Sequence, residues 1–126
     1  VTPLSLTSQY LPGGTVVWVT GEVDATNSAR LLTSLDQAHP RPQEPLLLDL
    51  SALTFLDCSG LATLLHTRAR LAAAEGRLSL AAPHERVRRL LELTGHAGSF
   101  EVRHTLDEAV TAAGLRATAW IGSAIA

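Results

Sequence analysis

In Phe55-Leu56-Asp57-Cys58-Ser59-Gly60-Leu61 the chain passes from strand to helix, and the order of the other elements follows from that passage. Just upstream, Leu46-Leu47-Leu48-Asp49-Leu50 is a nearly continuous apolar run of strand length. Such runs belong to strands covered on both faces. Just downstream, Leu61, Leu64, Leu65, Leu71 and Ala72 fall at helical spacing, and Gly76 supplies a stop. Between strand and helix stand one carboxylate, one thiol, one hydroxyl and one glycine, all small. A helix start exposes unpaired N–H groups with partial positive charge, and small polar residues leave that end open to a partner or a phosphate. The plain structural alternative is that Asp57 caps the helix and Cys58 and Ser59 merely fill its first turn.

The flanking chain alternates in the same way. Leu4-Ser5-Leu6-Thr7 and Thr15-Val16-Val17-Trp18-Val19-Thr20 read as strands joined through Pro12-Gly13-Gly14, a hairpin signal. A polar turn, Gly21 to Asn27, leads into a helix through Leu31, Leu32, Leu35 and Ala38. The prolines between His39 and Pro45 mark a surface loop. After the central helix, Leu78 to Ala82 reads as a strand. A helix then opens with Pro83 at its first position and carries Val87, Leu90, Leu91 and Thr94 inward to Gly95. Glu85 with Arg89, and Arg88 with Glu92, are spaced for ion pairs on its outer face. Phe100 to Val102 is a last strand, and Thr105 to Glu108 has the capping-box spacing of a final helix ending at Gly114.

This order predicts an α/β fold: a mixed, mostly parallel sheet of about five strands with four helices. One domain is expected over 1–115, with a tail over 116–126. In that tail Trp120, Ile121 and Ile125 suit a cover over the body, a contact with a neighbouring chain, or a frayed end.

Composition narrows the function. The 126 residues suffice for a real core. With few aromatics, that core is built from Leu, Val and Ala. The net charge of −2 disfavours nucleic acid as a direct partner. The lone Cys58 excludes an internal disulfide and a multi-thiolate zinc site. No segment has the length of apolar residues needed to span a bilayer, and no charged-then-apolar leader is visible, so the cytoplasm is the expected compartment.

Enzyme motifs fail one by one. The chain has no lysine, which removes phosphate loops of the Gly-rich, lysine-ended kind. It also argues against a phospho-acceptor at Asp49 or Asp57 of the response-regulator kind. A nucleophile elbow wants glycine two residues before and after its serine; here Asp57 and Leu61 hold those places. His66, His84, His96 and His104 lack metal-site spacing and read as scattered surface residues. The arginines at 86, 88 and 89 read as a solvated helix face. Cys58, at a helix start, admits a redox role, but a small filler is the simpler reading. No cofactor or metal is expected.

The run Leu46 to Gly60, with Gly21-Glu22-Val23-Asp24 upstream and Leu93-Thr94-Gly95 downstream, resembles a STAS domain, most of all the bacterial anti-sigma-factor antagonists. The resemblance covers about residues 4–114. It implies a non-catalytic domain that binds an anti-sigma factor, itself a serine kinase of the histidine-kinase-ATPase fold, and so releases a sigma factor to regulate transcription. It implies partner contacts at Asp57, Cys58, Ser59, Gly60 and Leu61 and at Gly21, Glu22, Asp24, Thr26 and Asn27. It also implies a phosphorylation switch at the start of the central helix. The usual acceptor position holds Cys58, so Ser59 becomes the candidate acceptor, or the switch is absent. The alternative within the family is a non-phosphorylated subunit of a larger assembly, a lipid-transport complex or a stress-signalling scaffold. A monomer or weak homodimer is expected.

Overall fold

The structure, a computed structural model, describes residues 2–116. The expectations for Trp120, Ile121 and Ile125 lie outside the described residues.

Strand β1 (Ser5–Leu11) turns at Pro12-Gly13 into β2 (Gly14–Val23), pairing antiparallel from Ser5↔Thr20 to Leu11↔Gly14. Helix α1 (Ser28–Ala38), β3 (Leu46–Asp49) and β4 (Leu53–Leu56) follow, then α2 (Cys58–Ala73), β5 (Leu78–Ala81), α3 (Glu85–Leu93), β6 (Glu101–Arg103) and α4 (Leu106–Ala112). The sheet runs β1-β2-β3-β5-β6, all parallel except β1, with β4 also paired to β2. A mixed, mostly parallel sheet with four helices is therefore what the alternation of elements predicts.

The sixth strand is the difference. β2 is ten residues long, whereas β3 covers only Thr15 to Trp18 of it. The far half of β2 is left unpaired by β3, and the chain returns to fill it. Asp49 Oδ1 accepts from the Ser51 N–H (3.0 Å) and hydroxyl (2.6 Å), turning the chain, and Leu53 to Leu56 then join β2 at Gly21 to Val23. Gly21 and Glu22 are thus strand residues, not part of a turn. Gly21 has φ +108°, and a Cβ there would lie 2.2 Å from the Pro3 carbonyl oxygen. Only glycine fits this register shift beside the entering chain.

The helices divide between two faces. In β3, Leu46 and Leu48 point to a core shared with Leu31 and Leu35 of α1, Leu61, Leu64 and Leu71 of α2, and Val87 and Leu91 of α3. Leu47 points the other way, to Leu11, Val16, Ala81, and Ala109 and Val110 of α4. The period-two reversal of strand side chains makes one leucine run serve both layers.

Several local expectations change. The 39–45 loop is not simply superficial: His39 is fully buried, with Nδ1 2.9 Å from the Thr15 hydroxyl and Nε2 2.8 Å from the Glu44 carbonyl. The carbonyl can only accept, so Nε2 carries the proton and Nδ1 accepts from Thr15. Pro83 lies before α3 rather than at its first position; His84 is the N-cap, its Nδ1 accepting from the Arg86 N–H at 3.2 Å. His96 pairs with Ser99 (3.1 Å), so these two histidines are built into local structure. The (i, i+4) pairs on α3 do not close into ion pairs; among the described residues those formed are Arg70–Asp36 and Arg77–Glu101. Thr105 caps α4 as its spacing predicts, accepting from the Glu108 N–H at 3.1 Å. No helix among the described residues is long and apolar enough to cross a membrane.

Candidate functional site

The parallel strands β2, β3 and β4 each end in the same short device. Asp24-Ala25-Thr26, Asp49-Leu50-Ser51 and Asp57-Cys58-Ser59 share an aspartate whose Oδ1 accepts from both the backbone N–H and the hydroxyl two residues on. Each turn is thereby closed locally and needs no long-range partner.

The third of these opens α2. Asp57 is the N-cap, with extended backbone. Its Oδ1 takes the Ser59 N–H at 2.9 Å, the Gly60 N–H at 3.1 Å and the Ser59 hydroxyl at 2.5 Å. Partial desolvation pushes the Asp57 carboxyl up. The hydrogen bonds from the Ser59 hydroxyl and the N–H groups of Gly60, Ser59 and Ala25 outweigh it and hold the pKa below the ordinary 3.8. Asp57 therefore caps the helix and takes up the Ser59 and Gly60 N–H groups, while the Cys58 side chain stays exposed beside it.

The first and third devices meet because β4 pairs with β2 through Val23↔Leu56, directly before each aspartate. The Asp57 N–H also donates to the Val23 carbonyl at 3.2 Å, and the Thr63 hydroxyl donates to the Ser28 carbonyl at 3.3 Å. Asn27 completes the Asp24 turn, its Oδ1 accepting from the Asp24 N–H at 3.0 Å and its Nδ2 donating to the Glu22 carbonyl at 2.9 Å. The residues picked out of the sequence therefore gather in one place, from two segments far apart along the chain.

They do not all present themselves. Cys58, Ala25 and Thr26 are exposed, while Glu22, Asp24, Asn27, Asp57 and Ser59 are half-buried. Gly21, Gly60 and Leu61 are buried and support the surface from beneath. Gly60 has a packing role: a Cβ there would lie 2.3 Å from Leu56 Cδ1 and 2.8 Å from Val23 Cγ1, so α2 sits tight against β2 and β4. The corner also contains two residues that sequence reasoning did not assign to it. Ala25 carried no signal, because its part is played by a backbone N–H. Phe55, 40% exposed and two residues before Asp57, sits in an apolar run that reads as core; its alternation with buried Leu56 was the available signal.

No group of His, Cys, Asp and Glu among the described residues is arranged to hold a metal ion. What the corner offers is a small surface of acidic and hydroxyl groups around a helix start, closed by local hydrogen bonds.

The chain is similar in sequence and fold to known proteins. The sequence model of the STAS domain matches residues 6–109. An anti-sigma factor antagonist from Mycobacterium paratuberculosis is 31% identical, with 89% of this chain and 95% of that one covered and a TM-score of 0.78. A STAS domain protein from Planctomyces limnophilus, 17% identical, covers 86% of this chain and 97% of its own at a TM-score of 0.75. The Bacillus cell fate determinant SpoIIAA in its phosphorylated form, 22% identical, covers 87% and 98% at 0.65. The last two show likeness of fold. No curated protein sequence matches the chain.

Proposed function

Since this chain belongs to the STAS domain family, we propose that it is an anti-sigma-factor antagonist that works by docking rather than turnover. Its partner in this reading is an anti-sigma factor that is also a serine kinase of the histidine-kinase-ATPase fold. The contact surface is the exposed rim of the α2 start, Asp57 to Ser59, together with Glu22 and the turn from Asp24 to Asn27. Phe55 adds an aromatic side chain of the kind that anchors interfaces. The observation that carries the reading is the hydrogen-bonded joining of these two segments around an uncovered Cys58.

The geometry favours binding without a phosphate switch. The position usual for the acceptor holds a thiol, and the candidate acceptor Ser59 is half-buried with its hydroxyl donated to Asp57 at 2.5 Å. Phosphorylating Ser59 would remove that hydrogen bond and set a charge of about −1.5 to −2 against the carboxylate. A phosphate on an exposed side chain at the helix start would instead be tolerated by the dipole. The same observation supports the alternative, a non-phosphorylated subunit of a lipid-transport complex or a stress-signalling scaffold. Incubation with the anti-sigma kinase and ATP, followed by mass spectrometry, tests the point: an unmodified chain that still binds the kinase is expected. Stoichiometric phosphate on Ser59 would overturn the unswitched reading. Co-purification with transporter subunits instead of a soluble kinase would select the alternative.

A further inference from the structure

Between α1 and β3, the segment His39-Pro40-Arg41-Pro42-Gln43-Glu44-Pro45 has one fully buried side chain, that of His39. Pro40, Pro42 and Pro45 have no N–H to give, and the Glu44 N–H is engaged within the segment by the Arg41 carbonyl at 3.0 Å. What ties the segment to the body is a short set of bonds gathered around one ring. His39 Nδ1 accepts from the Thr15 hydroxyl of β2, while Nε2 donates to the Glu44 carbonyl and draws the far end of the segment back onto the ring. The His39 carbonyl accepts from the Arg70 guanidinium of α2 at 2.9 Å. The Pro45 carbonyl accepts from the Thr15 N–H at 3.1 Å.

The charges around that ring are mixed. Arg70 reaches it from α2 and is paired with Asp36 of α1 at 3.2 Å. Arg41 and Glu44 belong to the segment itself. Tyr10 of β1 lies under the Arg41 guanidinium and donates its hydroxyl to Glu44 Oε2 at 3.4 Å, a long bond. Glu44 Oε1 is buried and has no hydrogen-bond partner among the described residues, an arrangement that costs stability while the segment is closed. A second proton on His39 fits this seat badly. It would put a hydrogen on Nδ1, where the ring now accepts one from Thr15. It would also put a cation in a buried place beside Arg70 and Arg41, which the Glu44 carbonyl and carboxylate do not offset. Water accommodates both the imidazolium and the orphaned Glu44 oxygen.

We propose that residues 39–45 form an acid-released latch: as pH falls below neutral, the segment lets go of β2 and α2 as a unit while the sheet stays folded. The closed segment holds a neutral ring, and the open segment takes up the proton, so acid favours the open form by mass action. Release removes the tie between Thr15 and Pro45 and frees Arg70 from the His39 carbonyl. The latch sits at the Thr15 end of β2, whereas the docking corner continues from Val23 at the other end. Opening one therefore leaves the other in place.

Amide exchange of the full chain, followed by NMR between pH 7.5 and 5.5 in low urea and corrected for the intrinsic rate, tests the proposal. Protection at Thr15 and Glu44 should fall several-fold over that range. The ceiling is about tenfold, for one histidine that takes its proton near the ordinary 6.5 only in the open form. That exchange should be nearly independent of urea, as local opening is, while Leu48 and Leu80 of the central strands exchange more slowly and with a steep urea dependence. His39→Gln keeps a side-chain N–H for the Glu44 carbonyl but does not titrate, and should remove the response to acid. Thr15→Val takes away the bond to Nδ1 and should speed exchange at Glu44 already at pH 7.5. Protection at Thr15 and Glu44 that ignores pH, or that shares the urea dependence of Leu48 and Leu80, would overturn the latch. So would an acid response that survives His39→Gln, or native exchange at Glu44 in Thr15→Val.

Discussion

Gly60 sits under a close packing constraint at the start of α2, because Leu56 and Val23 close over the place a methyl group would take. Gly60→Ala is expected to cost about 1–3 kcal/mol in chemical denaturation, as overpacked sites do, and to loosen the start of α2. Asp57 makes a different contribution. Asp57→Ala should cost about 1 kcal/mol, the usual value of a lost N-cap. Its pKa is lowered on folding, so the stability it adds is complete above its ordinary 3.8 and is lost as pH falls through the folded value. Stability curves of the native chain and Asp57→Asn should therefore converge in acid below that range and diverge above it. Unchanged separation at every pH would contradict this role. The cap at Asp57 was legible in the sequence, since an aspartate before a helical apolar pattern is a local signal. The need for glycine at 60 was not, because it depends on Val23, which only the folded sheet brings near.

Strand β2 organises the elements around it. Its first half takes β3 and its second takes β4, with the change of partner at Gly21. Gly21→Ala would place a side chain at φ +108° and against the Pro3 carbonyl. It should lower the melting temperature and release residues 2–4 to rapid amide exchange, while an unaltered exchange pattern would count against the close approach. The 39–45 loop is tied down by His39. Burial pushes the His39 imidazole below its ordinary 6.5, with Arg70 and Arg41 acting in the same direction. The Glu44 carbonyl and carboxylate oppose them. The unfolded chain then binds a proton that the folded chain refuses, so stability is full above about pH 6.5 and falls as pH drops below it. His39→Asn should remove that portion of the slope between pH 7.5 and 5.5, as read by urea midpoints; a slope that persists would place its origin elsewhere. These features were the less legible ones. Leu53 to Leu56 is too short to announce itself, β2 is interrupted by Gly21 at the point where a turn would also begin, and a proline-rich loop reads as surface whether or not one histidine is swallowed by the core.

Seen whole, the molecule is a two-sided sheet, with three helices packed on one face and α4 on the other. The α/β order, the parallel core strands and the hairpin were legible because leucine runs and helical spacing are strong, regular patterns. The meeting of the Asp24 and Asp57 turns was not derivable from spacing; the family resemblance supplied that expectation, and the bond from the Asp57 N–H to the Val23 carbonyl gives its physical form. Core integrity should follow size: Leu48→Ala, fully buried at the centre of the sheet, is expected to cost about 2–5 kcal/mol in denaturant unfolding. The docking claim is tested most directly by calorimetric titration of the anti-sigma factor from the same cell with the native chain, Cys58→Glu and Cys58→Ala. Cys58→Ala should bind as the native chain does. Cys58→Glu, folded by circular dichroism, should lose at least about tenfold in affinity, or about 1.4 kcal/mol. Equal affinity for all three would contradict the account.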